Sequence, residues 1–243
     1  MERFWVVVIG LCALALPACG SSKVAGDGGD AAADDATSDG AAPPLCPNLG
    51  AETIVATGER HAFSFDTGFG DLPSEFIGVL GDWRVEAEST APSTPNVLRQ
   101  KGLFPVPDFP RAMVKHFTFT DFDLKVKCRP ESGVTDQACG AIFRAQDGCN
   151  YYVARANAAE GNTRIYISVN GVRTQLGATA LTPIVAGTWH TLEVTASGPD
   201  LRASLDGVEV VTVSDPTFAM GKIGVWTKAD SVTAFDDLEA TEN

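Results

Sequence analysis

Between Ala138 and Val169 the chain reads ACGAIFRAQDGCNYYVARANAAEGNTRIYISV, and guanidinium, phenol and carboxamide groups recur there at alternate positions. Alternation is the period of a β-strand, whose successive side chains point to opposite faces. Cys139, Ala141, Phe143 and Ala145 share one face of the first run, and Ile142, Arg144 and Gln146 the other. In the next run Tyr151, Val153, Arg155 and Asn157 oppose Tyr152, Ala154 and Ala156; in the third, Arg164, Tyr166 and Ser168 oppose Ile165, Ile167 and Val169. Ile223 and Val225 point to the core further on, which turns Trp226 and Lys228 to the same outer face. The candidate ligand-binding set is therefore Arg144, Gln146, Tyr151, Arg155, Asn157, Arg164, Tyr166, Trp226 and Lys228. Aromatic faces that stack on C–H patches, with planar amides and guanidiniums that bond to hydroxyls or carboxylates, suit a sugar. Four cations on one face favour a sugar that carries carboxylate or sulfate. The competing reading pairs these cations with Asp147, Glu160 and Asp230, half-buries Trp226 under a loop, and leaves an ordinary surface.

Other chemistries find little support. His61, His116 and His190 share no spacing, and neither a GxSxG nucleophile motif nor a glycine-rich phosphate loop occurs. The cysteines lack a CxxC pair and have no His nearby, so a metal site is not expected. The net charge of −13 argues against nucleic acid, which needs a basic stripe.

The elements that must position the outer face are short alternating runs from Glu59 onward, separated by Gly, Pro, Asn and Asp: 61–66, 83–89, 96–101, 113–119, 122–128, the three runs above, 189–197, 201–207, 208–214, 222–228 and 232–240. Asp206-Gly207 marks a tight hairpin. No window has helical periodicity. The fold class is all-β, a two-sheet antiparallel sandwich over residues 46–243.

Ahead of it, residues 1–18 read as a signal peptide with an apolar run from Phe4 to Leu16, too short to span a bilayer. Leu16-Pro17-Ala18-Cys19 resembles the lipobox of bacterial lipoproteins, which makes Cys19 the lipidated residue and the membrane a partner through that anchor alone. Gly20 and Ser21 direct the expectation to the outer membrane of a Gram-negative-type cell envelope. The rest of 19–45 is an acidic, flexible linker: Gly20 to Pro44 holds five Asp and one Lys, which leaves −9 for the domain, a charge read as solubility. With Cys12 and Cys19 set aside, Cys46, Cys128, Cys139 and Cys149 form an even set with three possible connectivities. Strand parity puts Cys128 and Cys139 on the core side of adjoining strands, so Cys128–Cys139 is expected to close a hairpin loop and Cys46 to pair with Cys149.

FDTGFGDLPSEF (65–76), GDWRVEAESTAPSTPNVLRQ (81–100), the stretch 122–176, GTWHTLEV (187–194), LDGVEV (205–210) and GKIGVWTKADSVTAFDDLEA (221–240) occur in an order that resembles secreted bacterial concanavalin A-like jelly rolls, of laminin-G-like and 3-keto-disaccharide-hydrolase-like type. The resemblance implies a jelly roll, with binding to extracellular or envelope carbohydrate as the leading function, a glycoside hydrolase-like enzyme as the alternative, and a non-catalytic adhesion or scaffold module as a third. Glycosidases of this fold type place carboxylates on one strand as Glu-x-Asp-x-Glu, and this chain has no such motif. Asp237 with Glu239, and Asp121 with Asp123, are the nearest substitutes. No cofactor is expected, apart from a rim Ca²⁺ around Asp215 or Asp236 of the kind some such jelly rolls carry.

Overall fold

β-Branched and aromatic residues alternate with polar ones in runs of two to eleven residues, and this pattern leaves strands as the dominant element of the chain. In the computed structural model, residues 46–50 and 53–243 are described; the predicted signal peptide, Cys19 and the linker lie outside them. The strands are β1 (Thr53–Ile54), β2 (Arg60–Phe63), β3 (Phe76–Leu80), β4 (Trp83–Ala87), β5 (Asn96–Gln100), β6 (Arg111–Val114), β7 (Phe117–Thr118), β8 (Phe122–Ser132), β9 (Ala138–Ala145), β10 (Tyr151–Asn157), β11 (Asn162–Val169), β12 (Val172–Leu181), β13 (His190–Ser197), β14 (Asp200–Leu205), β15 (Val208–Ser214), β16 (Lys222–Trp226) and β17 (Val232–Glu242). Among the described residues there is no helix.

One sheet runs β12-β11-β10-β9-β16-β6-β3 and the other β15-β14-β13-β8-β17-β5-β4, with β2 added to β17. Their inner faces bury Leu98, Phe122, Leu124, Val126, Phe143, Tyr152, Ile165, Leu192, Val194, Val225 and Phe235 in one core. The three central strands pair as the alternation predicts, with Tyr152 opposite Phe143 and Ile167, and Arg155 opposite Gly140 and Arg164. The run at 113–119 is not one strand: it splits into β6 and β7. Three further strands, β1, β3 and β12, were not anticipated.

Cys46 is bonded to Cys149, and Cys128 to Cys139, as parity indicated. The setting of the second bond differs from the expectation. β8 and β9 belong to opposite sheets, so this disulfide crosses the core instead of closing a hairpin between neighbouring strands.

Candidate functional site

The outer face of the seven-stranded sheet carries its own apolar layer, which sets the site's shape. Met113, Ile142, Tyr151, Val153, Tyr166 and Trp226 rise from β6, β9, β10, β11 and β16, and Leu49 and Phe109 close over them. Gly140 makes room for the indole, since a Cβ there would lie 3.0 Å from Trp226 Cε3 and 3.0 Å from Val153 Cγ2. The face is therefore roofed. Tyr151 and Arg155 are each 1 % exposed and Trp226 and Asn157 are fully buried.

Beside this layer lies a polar network. The Arg155 guanidinium donates through Nη2 to Glu160 Oε2 (3.1 Å), Asn162 Oδ1 (3.1 Å) and Tyr166 Oη (3.0 Å), while its Nη1 is 3.0 Å from Glu160 Oε1. Arg164 donates to Tyr166 Oη at 3.1 Å and to Thr179 Oγ1 at 2.9 Å. The Asn157 amide nitrogen donates both to Asp136 Oδ1 (2.6 Å) and to Glu160 Oε1 (2.8 Å), and Lys228 Nζ lies 3.2 Å from Asp136 Oδ2. Burial raises the Asp136 carboxyl above its usual value, against the pull of Lys228 and Arg155. Burial opposes the charge on Arg155, but Tyr166 and Glu160 outweigh it and its pKa is raised. Asp136 is presented by a loop that Asp230 organises, its carboxylate accepting the backbone N–H groups of Val134, Thr135 and Asp136 at 2.7 to 3.1 Å. Burial acts against the Asp230 charge, and those N–H groups hold its pKa below the usual carboxylate range nonetheless.

Of the predicted set, Tyr151, Arg155, Asn157, Arg164, Tyr166, Trp226 and Lys228 meet on this face or at its edge. Arg144 and Gln146 do not. Arg144 adopts a φ of 47° where the β9–β16 register shifts, so Ala145, and not Arg144, joins Ile142 in the outer layer. The Arg144 guanidinium turns to the end of the sandwich and donates to the carbonyls of Thr120, Gly198 and Phe218 and to Asp121. Gln146 follows it, donating to the carbonyls of Arg144 and Met220. The pairing with acids is realised at Glu160, whereas Asp147 accepts from Cys149 and Asn150, and Asp230 from the loop above it. Trp226 is not half-buried under a loop but fully buried within the outer layer.

Sequence reasoning missed Arg173. Its guanidinium carbon lies 4.1 Å from the Tyr166 ring centroid, 4.6 Å from that of Phe109 and 5.5 Å from that of Trp226. The signal was present in Val169-Asn170-Gly171-Val172, an Asn-Gly pair between apolar residues, and both turn residues have positive φ, 52° and 82°. That hairpin creates β12 and sets Arg173 opposite Ser168.

Five of the other acids singled out in the sequence are engaged through their side chains. Asp236 accepts from Ser93 and from the Asp237 N–H, and Asp215 from the Tyr152 hydroxyl and the Thr217 N–H. Asp121 accepts from Arg144 and the Gly198 N–H, and Asp123 from Thr195, while Glu239 is paired with Lys125 and Arg60. Among the described residues Cys46, Asp147 and Cys149 converge at metal-ligand distance, but the two thiols are joined as a disulfide.

Residues 80–241 match the 3-keto-alpha-glucoside-1,2-lyase-like domain family. The chain belongs to this family. Solved structures agree on the jelly-roll fold. The carbohydrate binding module CBM66 from Bacillus subtilis superposes with a TM-score of 0.58 at 19 % identity, over 69 % of this chain and 96 % of that one. A Bacillus licheniformis β-glucanase gives a TM-score of 0.51 at 13 % identity, over 77 % of this chain and all of that one. The GH43 protein BlXynB from Bacillus licheniformis gives 0.51 at 17 % identity, over 75 % of this chain and 39 % of that one. No curated protein sequence matches. Membership thus places the chain in a family named for chemistry on glucosides, and the fold is one shared with a sugar-binding module and a glucanase.

Proposed function

We propose that this protein is a carbohydrate-binding domain that uses the outer face of the seven-stranded sheet, without catalysis. The observation that carries the reading is the joined set of Arg155, Asn157, Asn162, Arg164 and Tyr166 around Glu160, beside an aromatic layer on the same face. Guanidiniums and carboxamides match sugar hydroxyls and carboxylates, and aromatic rings match C–H faces. With Arg173 added, the cations Arg155, Arg164, Arg173 and Lys228 outnumber the carboxylates Glu160 and Asp136 among them, and this excess favours a glycan carrying carboxylate or sulfate. The family's name and the CBM66 likeness agree with a sugar as ligand. As an exported lipoprotein anchored through Cys19, the domain would meet such glycans at the outer membrane of the cell envelope, at the end of its acidic linker.

A glycoside-acting enzyme is the second reading, favoured by Asp136 and Glu160, two carboxylates on either side of the Asn157 amide, one with a raised pKa. The same amide fills the gap in which a glycosidic oxygen would have to sit, and this ranks binding first. The test is a glycan-array screen of the full chain at low and high salt, with released reducing sugar assayed in parallel. Salt-sensitive capture of acidic glycans without product is expected. Product release would replace the binding reading with the enzyme, and silence in both assays would favour an adhesion or scaffold module.

A further inference from the structure

We propose that Phe109, Tyr166 and Trp226 form a pyranose-stacking subsite that the Arg173 side chain occupies in the unliganded protein, and that a sugar binds by displacing it. This rests on the carbohydrate reading above and assigns the sugar ring a place on the face.

Three rings from three separate elements, the segment before β6, β11 and β16, converge on one guanidinium at 4.6, 4.1 and 5.5 Å. Phe109 and Trp226 are themselves stacked, with centroids 5.3 Å apart and planes at 26°. A flat guanidinium and the C–H face of a pyranose seek the same surface, because both lay weakly positive hydrogens or planar positive charge against a negative π face. A cluster that holds one is shaped for the other.

The closed arrangement leaves a mark of incompleteness. Trp226 is fully buried, and its indole N–H has no acceptor among the described residues. A buried donor without a partner is rare and costly, and a sugar hydroxyl or ring oxygen laid on the cluster would supply the acceptor. Arg173 is also the side chain placed to leave. It sits on β12, the edge strand of its sheet, two residues after the Asn170-Gly171 turn, between exposed Val172 and Thr174. Arg155, in contrast, rises from β10 between two paired strands. The ligand class is a pyranoside with equatorial hydroxyls, whose ring leaves a bare C–H face for stacking while an oxygen at its rim reaches the indole N–H.

The experiment compares the full chain with its Arg173→Ala and Arg173→Lys variants in titrations against the glycans the wild type captures, and follows acrylamide quenching of Trp226 emission, isolated by subtracting a Trp226→Phe variant. Removing the competitor is expected to tighten binding of Arg173→Ala by about tenfold and to raise the quenching of Trp226, with bound glycan lowering it again. Arg173→Lys, which keeps the charge and loses the flat stacking surface, is expected to gain about threefold and decides the matter should the alanine variant fail to fold. Equal or weaker binding by a folded variant, while the wild type binds, overturns the displacement and leaves the carbohydrate reading standing. If neither wild type nor variant captures any glycan, both readings fall together.

Discussion

Glu160→Gln strips one charge from the polar network and changes its shape hardly at all. Both carboxylate oxygens are already engaged: Oε1 accepts from Asn157 Nδ2 at 2.8 Å and lies in ion-pair contact 3.0 Å from Arg155 Nη1, and Oε2 accepts from Arg155 Nη2 at 3.1 Å and Asn162 Nδ2 at 3.0 Å. Whichever way the new amide is turned, its nitrogen faces a guanidinium nitrogen and an amide N–H, so one charged contact and one neutral hydrogen bond are lost and donors oppose each other. Arg155 is 1 % exposed and cannot recover by solvation. A charge-assisted bond contributes about 1.5 to 3 kcal/mol, a neutral one about 1, and a buried ion left without its partner pushes the total higher, so the variant should lose about 3 kcal/mol. Urea unfolding monitored by far-ultraviolet circular dichroism measures this, with Glu75→Gln as the control because Glu75 is exposed. A loss below about 1 kcal/mol would mean that Glu160 does not neutralise Arg155 as drawn, and the network as the organiser of the face would be refuted.

Four other outcomes are expected. Arg144→Ala should destabilise by about 3 kcal/mol, because the side chain lost is 1 % exposed and leaves both a cavity and the carbonyls of Thr120, Gly198 and Phe218 without their donor, yet leave glycan affinity unchanged at temperatures where it is folded; reduced affinity would return Arg144 to the binding face. Burial pushes the Asp236 carboxyl up to about 6, so the folded protein holds this proton more tightly than the unfolded chain does, and the stability it confers is present below about pH 4 and lost as pH rises through 6. That loss amounts to about 3 kcal/mol, and Asp236→Asn should flatten the fall in urea midpoint between about pH 4.5 and about pH 7; an unchanged slope contradicts it. Peptide mapping of the unreduced protein should recover Cys46–Cys149 and Cys128–Cys139, and a Cys139–Cys149 peptide would refute that pairing. Replacing Cys46 and Cys149 by Ala should cost more, about 4.5 kcal/mol for a separation of 103 residues, than replacing the pair separated by 11, about 3, as read from denaturation midpoints.

Alternation made most of the face legible in the sequence. Tyr151, Arg155, Asn157, Arg164 and Tyr166 stand on the side that parity assigns, because β10 and β11 pair in register from Tyr151 opposite Ser168 to Asn157 opposite Asn162. Parity failed one strand earlier. A residue in the left-handed region reverses every side chain beyond it, and nothing in AIFRAQ announces that Arg144 takes up that φ, since the close approach of Gly221 to the Arg144 backbone comes from a distant segment. The roof over the face was equally hidden, because Leu49 and Phe109 arrive from regions that pattern alone reads as loops. The partners of Asn157 were missed for a related reason: Asp136 belongs to a loop whose conformation depends on Asp230, far along the chain. Arg173 was readable and overlooked, since its hairpin is written in Asn170-Gly171.

The central claim is that sugar binds on the outer face of the seven-stranded sheet, and backbone amide hydrogen exchange of the full chain, with and without a glycan taken from the array, tests it most directly. Exchange should slow in β10, β11 and β12 and in the segment around Phe109, and stay unchanged in β13, β14 and β15 of the other sheet. Protection confined to that second sheet, around Asp123, Glu193 and Thr241, would contradict the account and move the binding site to the opposite side of the sandwich.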